Sequence, residues 1–80
     1  MEWKGIKLPV GSKLFRVHTF NFFHNGINFE LEVDEYSDGA FTGHGQQSTD
    51  QSYMVESVSG NNVKECLEAL IRKIESRRAP

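Results

Sequence analysis

Eighty residues, 38% of them hydrophobic and 25% charged, allow one soluble globular domain and no more; a domain this small hides only about 60% of the surface its unfolded chain exposes. The single cysteine, Cys66, excludes an intramolecular disulfide framework, and no apolar run approaches the roughly 20 residues of a membrane-crossing helix. The net charge of −2 conceals a segregation, with five carboxylates and no base from Glu30 to Asp38, then four bases and one acid from Arg72 to Arg78.

Residues 1–12 read as an extended N-terminal arm. Ile6, Leu8 and Val10 alternate, but Pro9 cannot donate to a ladder, which argues against a central strand. Trp3 is expected to cover one end of the core. An antiparallel sheet is predicted over residues 13–58. In its first strand Phe15, Val17 and Thr19 share one parity while Leu14, His18, Phe20 and Phe22 share the other, so a bulge or a strand covered on both faces is expected. Asn25-Gly26 follows, and both residues tolerate positive φ, the strongest short-range hairpin signal in the chain. The next stretch alternates strictly: Ile27, Phe29, Leu31 and Val33 on one face, Asn28, Glu30, Glu32 and Asp34 on the other. The apolar four are the expected floor of the core. A turn is predicted at Tyr36–Gly39 and a short third strand at Ala40–Gly45, whose glycines signal a bulge or a close backbone approach. Gln46–Ser52 is wholly polar and reads as an exposed loop, with a fourth strand from Tyr53 to Val58.

The helix is predicted over 62–77. Asn62 caps it with Glu65 in capping-box position, and Val63, Leu67, Leu70, Ile71 and Ile74 form one apolar stripe. Cys66 lies beside that stripe. A one-striped helix on a one-faced sheet closes a two-layer domain. The fold class expected is therefore α+β, a three- to four-stranded antiparallel sheet with one C-terminal helix on one face.

No catalytic set, cofactor or metal site is expected. His18, His24 and His44 match no ligand spacing with Cys66, and the run from Asp34 to Gly45 departs from a calcium loop at Tyr36 and Gly45. Gly43-His44-Gly45 lacks the context of a phosphate-cradling loop. Two surfaces stand out instead. Glu30, Glu32 and Asp34 form an acidic strand face, solvated in the simplest reading and otherwise a docking surface for another protein. Arg72, Lys73, Arg77 and Arg78 form a basic helix end that can contact phosphates. The opening residues Met1–Gly5 lack the layout of a signal peptide, and together with the lone cysteine this gives a cytoplasmic expectation.

From Asp38 to Glu75, the order Asp-Gly, aromatic strand, loop, strand, Gly60, then a helix with Glu65, Leu67, Ala69 and Leu70 resembles the HicB-type antitoxin module. The resemblance implies a β-β-β-α fold and a habit of binding another protein; the family's Pro-Asp-Leu-Pro-Gly-like segment is missing here. The reading is a small non-enzymatic interaction or accessory domain that binds another protein through its sheet. A homodimer through a sheet edge is compatible with it. The alternative is a nucleic-acid-associated regulator using the basic helix end.

Overall fold

The computed structural model describes residues 2–76, apart from the side chains of Gln51 and Ser52. Four strands, β1 (Phe15–His24), β2 (Ile27–Tyr36), β3 (Phe41–Gln47) and β4 (Asp50–Gly60), precede one helix, α1 (Val63–Ser76). The strands lie in the sheet in chain order, each antiparallel to the next. This is the expected α+β architecture, with the fourth strand present.

Local chemistry sets each turn. Asn25 and Gly26 adopt φ of 51° and 79°, the pair of positive angles that matches a two-residue hairpin to strand twist. At the second turn Gly39 takes φ of 97° and its N–H donates to the Tyr36 carbonyl at 3.0 Å, while Asp38 Oδ1 accepts from the Ala40 N–H at 2.9 Å. The helix starts where its cap stands: the Glu65 N–H donates to Asn62 Oδ1 at 2.8 Å, and Glu65 Oε1 accepts from the Asn61 N–H at 2.9 Å. A side-chain cap of this kind stabilises a helix by roughly 1 kcal/mol.

The core lies between α1 and the inner face of β2, β3 and β4. Phe29, Leu31 and Val33 are buried there as the alternation of β2 requires. Ile27, predicted beside them, is exposed, because it sits at the hairpin end beyond the helix. On α1 the buried residues are Cys66, Leu70 and Ile74, with Val63, Leu67 and Ile71 only half-buried. The stripe is thus centred on Cys66, not beside it.

Two glycines let the layers meet. A Cβ on Gly43 would lie 3.1 Å from Leu70 Cδ1 and 3.4 Å from Cys66 Cβ; one on Gly45 would lie 2.8 Å from Leu31 Cδ2. The close approach expected of these glycines is present, and the β3–β4 register shifts between them.

Three expectations need correction. The first strand pairs with β2 without interruption, so no bulge explains its mixed parity. Nor is it covered on both faces: Phe15, Val17, Phe20 and Phe23 are exposed. It is the outermost strand, and α1 packs over the other three. The third strand runs to Gln47 and β4 starts at Asp50, leaving only Ser48-Thr49 between them. Gln46 and Gln47 pair with β2 residues and are strand, not loop: Gln46 opposes Glu30 on the open outer face, and Gln47 opposes Phe29 at the end of the inner one.

The arm docks on one end of the sheet. The Gly5 N–H donates to the Ser37 carbonyl at 3.0 Å, and the Lys4 ammonium pairs with Glu35 while standing 5.0 Å from the centre of the Phe41 ring.

Candidate functional site

Opposite residues of an antiparallel pair point to the same face, so the register assembles the outer face directly. Glu30 is flanked by Asn21 and Gln46, Glu32 by Thr19 and His44, and Asp34 by Val17 and Thr42. No helix covers this face among the described residues. The strands curve round a trough of about 470 Å³ lined by Thr19, Asn21, Glu30, Glu32, His44 and Gln46, with Met54 at its rim.

The three carboxylates predicted as one solvated face differ sharply. Glu30 is exposed and accepts from Gln46 Nε2 at 3.2 Å. Glu32 is half-buried, its Oε2 2.9 Å from His44 Nε2. Asp34 is only 8% exposed. Its Oδ2 stands 3.7 Å from the same His44 nitrogen, and its Oδ1 is buried without a hydrogen-bond partner. Burial pushes the Asp34 carboxyl above the usual carboxylate range, the neighbouring Glu32 carboxylate pushes it further, and His44 opposes both. A solvated face is therefore wrong for Asp34, which lies between its register partners Val17 and Thr42, with the ring pair Phe15–Tyr36 next along the same face.

The other histidines are spent elsewhere. His18 Nε2 lies 2.8 Å from Glu35 Oε1 on the inner face, and His24 meets Asn25 at the hairpin. Cys66 is fully buried on the sheet-facing side of α1, across the sheet from His44, and burial raises its thiol pKa, with Glu65 adding to the shift. What sequence reasoning missed is the grouping of His44 with Glu32 and Asp34. Its only signal was period-two spacing in two segments whose relative register no spacing reveals.

Of the basic helix end, the described residues hold Arg72 and Lys73. Arg72 is exposed, but the Lys73 ammonium stands 3.7 Å from the Glu56 carboxylate on β4. Arg77 and Arg78 lie outside the described residues.

The open edge of β1 is the second surface. A two-residue hairpin makes the pair flanking its turn, His24 and Ile27, a hydrogen-bonded one, and such pairs alternate along the ladder. The Ser37 N–H donating to the Leu14 carbonyl at 2.9 Å keeps the same parity at the far end. The backbone N–H and C=O groups of Phe15, Val17, Thr19, Asn21 and Phe23 therefore point away from β2, along the free edge. Edge strands are commonly guarded by charges, proline, bulges or short length. This one runs ten residues with no proline and Arg16 as its one formal charge, and Phe23 on it is 72% exposed.

No family model matches the chain, and neither a curated protein nor a solved structure is similar to it.

Proposed function

We propose that this is a non-enzymatic protein-interaction domain that binds by adding a strand at the edge of β1. The observation that carries the reading is that edge: along a ten-residue strand, five residues turn their backbone donors and acceptors outward, flanked on both faces by exposed apolar side chains. Main-chain hydrogen bonds then supply affinity and alternate side chains supply specificity. Docking moves from the acidic face to β1, because Glu32 and Asp34 already answer to His44.

A second copy of the chain fits the edge. Centred on Phe20, an antiparallel β1–β1 pairing places like with like: Phe20 against its own copy, Phe22 against His18, Val17 against Phe23 and Thr19 against Asn21. Only side chains of one face meet in each pair, and the outward amides of Val17, Thr19, Asn21 and Phe23 each face a carbonyl of the other copy. The product is a continuous eight-stranded sheet with both helices on one side. Sedimentation or light scattering of the purified chain should give a dimer at micromolar concentration. Thr19→Pro removes an outward donor without touching the β1–β2 ladder, and it should give a folded monomer. A wild-type monomer throughout the concentration range, or a dimer indifferent to Thr19→Pro, would sink the proposal.

A further inference from the structure

The outer face brings three potential metal ligands together across the β2–β3 ladder. Glu32, Asp34 and His44 each present one donor atom, and these atoms lie within 4.8 Å of one another. Two of the separations are 2.9 Å, from His44 Nε2 to Glu32 Oε2, and 3.7 Å, from the same nitrogen to Asp34 Oδ2. Donors bound at about 2.1 Å to one ion stand roughly 3.0 Å apart in octahedral and roughly 3.4 Å apart in tetrahedral arrangement. These two separations bracket those values and the third is within 4.8 Å, so side-chain adjustment within the group can bring the three donors onto one centre.

A second observation, independent of the spacing, points the same way. Asp34 is more than nine-tenths buried and its Oδ1 has no hydrogen-bond partner. A buried carboxylate oxygen left unmatched is costly, and no hydrogen bond relieves this one. A cation between the three side chains would. The backbone also holds the group in place. Glu32 and Asp34 alternate on the central strand β2, and His44 sits directly opposite Glu32 on β3.

We propose that Glu32, Asp34 and His44 form a binding site for one divalent transition-metal ion, zinc in the first instance. One imidazole nitrogen with two carboxylates is a borderline N/O set, which suits zinc and its first-row neighbours and not calcium. The His44 side chain is 41% exposed and that of Glu32 35%, so the trough side of the ion stays open to water or to a ligand from a partner. All three ligands stand on β2 and β3, so the proposal holds whether or not the free edge of β1 pairs.

The test uses tag-free, chelator-stripped protein titrated with zinc by calorimetry and with cobalt(II) by visible absorption. The expected result is saturable uptake of one ion per chain, weakened in His44→Ala and in Asp34→Asn by at least about tenfold, the smallest loss typical even for outer partners of a metal ligand. His24→Ala should bind as the wild type does. Absence of saturable uptake overturns the site, as does uptake unchanged in His44→Ala. Far-ultraviolet dichroism of each variant separates loss of the site from loss of the fold.

Discussion

Removing and adding volume at one point of the helix–sheet seam should give costs that do not add. Leu70 is fully buried, and Leu→Ala at such a site costs about 2–5 kcal/mol, a large part of the 4–12 kcal/mol (roughly) available to a chain this size. Gly43→Ala puts a methyl 3.1 Å from both Leu70 Cδ1 and Val58 Cγ2. Overpacking of this kind costs about 1–3 kcal/mol, offset by about 0.4–1 kcal/mol from the reduced freedom of the unfolded chain. In the Leu70→Ala background the Cδ1 atom is gone and the new methyl enters the space it left, worth about 0.8 kcal/mol for a buried carbon. The double variant should therefore be more stable than the sum of the two losses by roughly 1 kcal/mol, within the range found for contacting residues. Urea melts of the four proteins measure this directly. Additivity within about 0.3 kcal/mol would mean that Leu70 and Gly43 do not share a seam, and the packing described here would be wrong.

Two further expectations follow from titrating groups. Lys4 first and His18 second hold the Glu35 carboxyl below its ordinary range, so its contribution to stability is present above the unfolded value of roughly 4.3 and lost as pH falls through the lower folded value. The gap in melting temperature between wild type and Glu35→Gln should hold steady near neutrality and close on acidification; a gap constant down to about pH 2 would refute the assignment. Cys66 should resist a thiol reagent at neutral pH in the folded protein and react in step with urea unfolding, because burial keeps it protonated and covered. Labelling at the rate of a free thiol in native buffer would place Cys66 outside the core.

Much of the fold was legible because its signals are local. Asn25-Gly26 needs only its own φ angles, Asn62 and Glu65 need only each other, and Phe29, Leu31 and Val33 announce a face because one side of β2 is buried. Legibility failed where a neighbour decides. Gln46 and Gln47 are strand residues because β2 pairs with them, and nothing in their own polarity says so. The mixed parity of β1 became meaningful only once the strand proved to be outermost. The candidate metal group failed for the same reason: Glu32 and Asp34 were visible as a pair, but bringing His44 opposite Glu32 requires the register across the Tyr36–Gly39 turn. Asp34 looked solvated for want of that register too. Its burial comes from residues on both flanking strands, not from its place in an alternating run.

The chain-order sheet has a kinetic consequence. Every strand pairs with the one before it across a short connection, and α1 closes onto the strand that precedes it. Strand pairing therefore never has to join distant segments of the chain, which places folding toward the fast end for a β-rich domain. Such an arrangement also lets one end loosen alone. β1 is tied by a single ladder and receives least from the helix, so its opening leaves β2, β3, β4 and α1 standing as a unit. The strand that offers its edge is thus the one held by a single ladder, and a copy that pairs with it would make that strand part of the centre of a larger sheet.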